Sequence, residues 1–154
     1  MRRTSITLLV FVILALTVGR LQAQNRGTGL GVILGEPTGI SFKHWVGGTT
    51  AIDAGLAWSV NSDDMHFHMT YLFHAFDWIK STDSFGSRLN VYYGIGGRVR
   101  ADKRSRAGAR GVMGLVYFVK GAPMDVFLEV APVMDVAPGT ELDFNAGLGI
   151  RYFF

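Results

Sequence analysis

Residues alternate with a period of two along nearly the whole chain after residue 27, and no helical period is sustained anywhere in that stretch. Over 51–60, Ile52, Ala54, Leu56, Trp58 and Val60 share one face, while Ala51, Asp53, Gly55, Ala57 and Ser59 share the other. Over 65–74, Met65, Phe67, Met69, Tyr71 and Phe73 oppose His66, His68, Thr70, Leu72 and His74. Two further long runs, 88–100 and 142–154, repeat the pattern. Shorter ones occur at 27–35, 38–45 and 124–130, and 110–119 is apolar on both faces, which leaves its register open. Turn signals separate these segments, among them Glu36-Pro37, Gly47-Gly48 and the tract 132–139. The count is eight strands, an all-β chain built from antiparallel hairpins.

The two faces differ in kind. One is uniformly bulky and carries no Lys, Arg, Asp or Glu in the four clearest strands. The other is small and glycine-rich, with isolated charges of both signs. An eight-stranded barrel has an interior only just wide enough for side chains, so the bulky face cannot all fit inside. It reads as a lipid-facing band, and the chain as an eight-stranded antiparallel up-and-down transmembrane β-barrel. Closure leaves no unpaired backbone edge in lipid. Tyr71, Phe73, Tyr152 and Phe154 lie at strand ends that share one rim, where an aromatic girdle is expected, with Trp58 at the other.

The segment ahead of the strands fits export. Arg2 and Arg3 precede an apolar run over 6–18, and Leu21-Gln22-Ala23 supplies a small residue at a cleavage edge. The run is too short to span a bilayer as a helix, which takes roughly 20 residues, so 1–23 reads as a cleaved secretory signal peptide and 24–154 as the barrel domain. The chain has 15 basic and 12 acidic residues; Arg2, Arg3 and Arg20 belong to the leader, so the mature chain is formally balanced and offers no global attraction to nucleic acid. With no cysteine, it has no disulfide, no thiol nucleophile and no lipoprotein anchor.

From residue 27 to 154 the chain resembles the small eight-stranded outer-membrane barrels of the OmpA-transmembrane-domain and OmpX type. More narrowly, Gly35-Glu36-Pro37-Thr38-Gly39-Ile40-Ser41, Tyr92-Tyr93-Gly94-Ile95-Gly96-Gly97-Arg98 and Leu128-Glu129-Val130-Ala131-Pro132 are similar to a little-characterised bacterial family of such barrels. The resemblance implies an outer-membrane location and no catalytic residue. Tyr152 and Phe154 resemble the C-terminal signature that these barrels present to the barrel insertion machinery. Where the larger OmpA pattern has a peptidoglycan-binding domain after the barrel and adhesive relatives have long outer loops, neither is expected here.

Within the barrel, Lys43, Asp53, His66, His68, His74, Arg98, Arg100, Asp125, Glu129, Asp143 and Arg151 fall on the inward face. Unpaired charges there cost several kcal/mol each, which predicts cross-strand pairs that plug the lumen. The His66 and His68 spacing also suits two imidazoles on one metal, but a satisfied polar network explains the histidines without one, and no cofactor is expected. Gly27-Thr28-Gly29-Leu30-Gly31 lies within a strand with no helix after it, so it is no phosphate loop. Lys103, Arg104, Arg106 and Arg110 form a basic loop that hairpin counting puts on the outer side. Guanidinium groups fork onto phosphate oxygens, so the loop is read either as a contact for lipopolysaccharide phosphates or as a solvated loop whose basic residues serve solubility. The tract 75–87, with Phe76, Trp78 and Ile79, reads as a turn resting at the membrane surface.

The expectation is therefore a monomeric, non-enzymatic outer-membrane barrel whose partners are outer-membrane lipid and lipopolysaccharide. Two alternatives are a soluble periplasmic, lipocalin-like barrel that binds an apolar ligand and a lipid-modifying enzyme. The first requires the bulky face to line a cavity; the second requires serine, histidine and acid within hydrogen-bond reach.

Overall fold

The computed structural model describes residues 26–36, 38–58, 65–101 and 105–154. The leader 1–23, Lys103 and Arg104 lie outside the described residues. Eight strands follow in order: β1 (Thr28–Glu36), β2 (Thr38–Trp45), β3 (Thr50–Trp58), β4 (Met65–Ala75), β5 (Leu89–Ala101), β6 (Arg106–Phe118), β7 (Met124–Ala137) and β8 (Glu141–Phe153). Each pairs antiparallel with the next, and β1 pairs with β8 from Gly29↔Phe153 to Glu36↔Ala146, which closes the barrel. Thr28 and Phe154 complete the seam with reciprocal backbone hydrogen bonds of 3.3 and 2.9 Å.

The alternation maps directly onto the wall. Leu34, Ile95, Val136, Leu142 and Phe144 are more than 60% exposed on the outside, among many other large apolar side chains. Lys43, Asp125 and Arg151, on the inside, are at most 1% exposed. An apolar-ligand cavity would need the bulky face inside, and here that face is outside.

Inward glycines make the lumen large enough for its long side chains. Across the ladders, Gly31 faces Arg151, Gly55 faces His68, Gly114 faces Tyr92 and Gly149 faces Phe127. A Cβ on Gly55 would collide with the His68 ring, and one on Gly149 with the Phe127 ring. Small against large across these four rungs helps fill a narrow cylinder with few voids.

Two elements differ from the sequence expectation. In β6 the even-numbered residues point inward, among them Arg110, Val112, Val116 and Phe118. β7 does not stop near Val130 but runs on through Pro132 to Ala137. Proline has no N–H to give a ladder, and Pro132 sits in a gap of the β6–β7 ladder between Arg110↔Val133 and Met113↔Val130, with the same register on either side. A second irregularity opposite Ala107 and Gly108 accommodates an extra β7 residue.

With eight strands, both ends of the described chain lie on one rim. That rim carries the connections 46–49, 76–88 and 119–123; the strand ends Glu36, Thr38, Trp58, Met65, Ala101 and Arg106, and the connection 138–140, lie at the opposite rim.

Candidate functional site: the charged lumen

At the rim that holds the termini, rings close the lumen. Trp45 and His74 have centroids 4.3 Å apart, Phe118 lies 6.3 Å from Phe76, and Tyr92 stacks at 5.5 Å on His74. Lys43 Nζ sits 4.4 Å above the Trp45 ring, a cation–π contact in a desolvated place. The same Nζ lies 2.8 Å from His74 Nε2, while His74 Nδ1 is 3.3 Å from the Thr49 carbonyl. A carbonyl oxygen only accepts, so Nδ1 carries the proton and Nε2 accepts from the Lys43 ammonium.

Behind these rings, Arg151 holds two carboxylates. Its Nε and Nη2 donate to Asp125 at 2.9 and 3.2 Å, and its Nη1 donates to Asp53 at 2.8 Å. Lys43 Nζ stands 3.7 Å from Asp125, and His68 Nε2 stands 3.5 Å from Asp53. The Arg151 guanidinium also lies 3.9 Å over the Phe127 ring. Lys43, Asp53, His68, His74, Asp125 and Arg151 thus form one cluster drawn from five strands.

A second group surrounds Glu129. Arg110 Nη2 donates to one carboxylate oxygen at 2.6 Å, and Tyr92 Oη donates to the other at 3.0 Å. Arg110 Nη1 also donates to Thr70 Oγ1 at 3.0 Å. A third group lies toward the opposite rim. Arg98 forks from Nη2 to Asp135 and from Nη1 to Asp143, both at 2.7 Å, with Asn145 Oδ1 at 3.3 Å from Nη1. Arg100 stands 3.9 Å from Asp143, and Arg106 pairs with Glu141 at the rim.

Inward charges balance: Lys43, Arg98, Arg100, Arg110 and Arg151 against Asp53, Asp125, Glu129, Asp135 and Asp143. Removing water from each ion costs several kcal/mol, and short, forked hydrogen bonds on both partners offset it.

Arg110 is corrected by this geometry. The sequence grouped it with the basic loop, whereas it is 3% exposed and bonded to Glu129 inside the barrel. The physical reason is that the inward face of β6 is itself largely apolar, so no polar stripe marked the register. Arg106 is at the rim, with Glu141 against it. His66 is buried on β4 in register with Arg100. Among the described residues, no three His, Asp or Glu side chains are grouped so as to hold a metal ion.

Sequence reasoning also missed Asp135 and Asn145 as partners of Arg98, and Tyr92 and Thr70 as ligands of the Glu129–Arg110 pair. Asp135 shares the odd-numbered inward parity of Asp125 and Glu129, a signal hidden by taking Pro132 as a strand end. At the seam, Tyr152 is outward and half-buried, Phe153 is fully buried inside, and Phe154 is exposed.

No protein-family model matches the chain, and no curated protein matches it in sequence. Among solved structures, the N-terminal β-barrel domain of Pseudomonas aeruginosa OprF is similar, with a TM-score of 0.57 over 82% of this chain and 95% of that one, at 14% identity. The likeness is one of fold: this chain is a closed, antiparallel, up-and-down barrel of eight strands.

Proposed function

We propose that this chain is an integral outer-membrane barrel, exported by its leader, without enzymatic activity, whose ion-paired lumen serves as a strut rather than a pore. The observation that carries the reading is the inversion of the two faces: large apolar side chains cover the exterior, while mid-barrel charges are sealed and paired within. Only lipid makes that arrangement economical, because water outside would leave an apolar surface far larger than monomeric soluble proteins expose. The similarity to the OprF barrel supports the same reading.

The test is fractionation together with gel mobility before and after heating. Recovery in the outer membrane with a faster unheated band is the expected result; detergent-independent recovery from the periplasm would overturn it. In planar bilayers the purified barrel should show no steady conductance, since eight strands leave no open channel around these side chains. Tyr152 and Phe154 act in this reading as the insertion signal, and the folded unit is a monomer.

A surface role rests on Lys103 and Arg104, which sit between β5 and β6 in sequence. With Arg110 committed to Glu129 and Arg106 to Glu141, the phosphate contact proposed for lipopolysaccharide narrows to those two side chains.

A further inference from the structure

The connection 76–88 differs from the other turns in how it meets the wall. Phe76 turns inward and packs against Trp45 and Phe118 in the ring cluster, with centroids at 6.3 Å from each. Two residues on, Trp78 stacks outside on Tyr93 of β5, centroids 6.0 Å apart. Phe85 stacks outside on Tyr117 of β6 at 4.9 Å. The connection therefore straddles the barrel rim instead of hanging clear of it.

Trp78 and Phe85 remain 66% and 60% exposed despite these stacks, and they extend the outward aromatic row of Tyr71, Phe73 and Tyr93. The segment also satisfies part of its own backbone. Trp78 N donates to Ala75 O, Ser87 N to Asp83 O, Arg88 N to Phe85 O and Gly86 N to Asp83 Oδ2, over a 3₁₀ turn at Gly86–Arg88. Its charged residues Asp77, Lys80, Asp83 and Arg88 interleave with the rings. Amphipathic rings beside charges suit the headgroup zone of a bilayer, where backbone groups still meet water.

We propose that 76–88 is a lipid-interface clamp: Phe76 grips the rim from inside, while Trp78 and Phe85 grip it from outside and rest among the lipid headgroups of the adjoining leaflet. This rests on the membrane reading above, and the experiment separates the two. The chain would be folded into phosphatidylcholine vesicles as Trp45→Phe/Trp58→Phe, leaving Trp78 as the sole tryptophan. A second chain, Trp45→Phe/Trp78→Phe, leaves Trp58 on the outward face at the opposite end of the strands.

The expected result is loss of Trp78 emission with lipids brominated near the headgroup end of the acyl chain, weaker loss with deep bromines, and little loss with aqueous iodide. Iodide quenching of Trp78 without lipid quenching, while Trp58 is lipid-quenched and the unheated band runs fast, overturns the clamp alone. No lipid quenching of either tryptophan, with no mobility shift, overturns the membrane reading and the clamp with it.

Because Trp45 belongs to the ring cluster, a second measurement avoids touching it. The chain lacks cysteine, so Ser84→Cys takes a single spin label at an exposed position. That label should be more accessible to oxygen than to a water-soluble nickel complex, and Trp78→Ser/Phe85→Ser should reverse the preference. A label equally open to the nickel complex in both chains overturns the clamp.

Discussion

Arg151 in β8 reaches across the lumen to Asp53 in β3, 98 residues earlier in the chain, with 2.8 Å between Nη1 and Oδ2. The two strands are not neighbours: β1 and β2 stand between them. The pair is therefore a transverse brace, and with Asp125 on the other side of the guanidinium it ties three strands at one level.

Removing that brace from one end should be costly. Arg151→Met leaves Asp53 and Asp125 buried without their guanidinium and is expected to lower stability by about 3–5 kcal/mol. Arg151→Met/Asp53→Asn should be less unstable than the sum of the single changes by at least about 1 kcal/mol, because contacting charges couple. Urea unfolding in lipid vesicles measures both, and strict additivity would show that the pair contributes nothing of its own.

The outward face is tested at adjacent positions in β3. Leu56→Arg puts a charge on the lipid side at a cost of roughly 2–4 kcal/mol near the midplane. Ala57→Ser, facing the lumen, should be mild. Folding yield read from the unheated gel band distinguishes them, and equal tolerance at both sites would contradict the assigned facing.

Gly55 and His68 offer a size-complementation test. Gly55→Ala drives a methyl into the imidazole and should cost about 1–3 kcal/mol, as overpacking does. Gly55→Ala/His68→Ser should recover most of that loss, because Asp53 keeps its bond to Arg151. A thermal melt in detergent reports the recovery; no recovery would mean that the backbone, not the ring, sets the limit.

The basic residues should separate by role. Lys103→Gln/Arg104→Gln is expected to weaken binding to lipopolysaccharide with the unfolding midpoint unchanged. Arg110→Gln should leave that binding intact and cost about 3–5 kcal/mol by stranding Glu129. Lipopolysaccharide binding equal to wild type in the first variant would remove the phosphate-contact proposal.

The architecture was legible because a period of two sorts side chains between two solvents, and Leu56, Phe67, Tyr93 and Leu148 all lie on the face their parity assigns. Inwardness was equally plain for Lys43, Asp53 and Arg151. Partnership was not. Whether Arg98 meets Asp135, Asp143 or both depends on where strands distant in sequence cross the lumen, which no local pattern records. Arg110 was misplaced because Val112, Val116 and Phe118 make the inner face of β6 as apolar as its outer one. Asp135 was lost because Pro132, a usual strand terminator, here sits harmlessly at a gap in the ladder.

The seam between Thr28 and Phe154 carries a kinetic consequence. β1 is the first strand to be made, yet one of its two edges has no partner until β8 arrives, so every earlier intermediate exposes an open edge that lipid cannot solvate. Contacts this distant in sequence form slowly. Under the membrane reading proposed above, such a chain would gain from an escort that keeps β1 from pairing with a stranger in the interval. In that reading, insertion is a race between ring closure and aggregation.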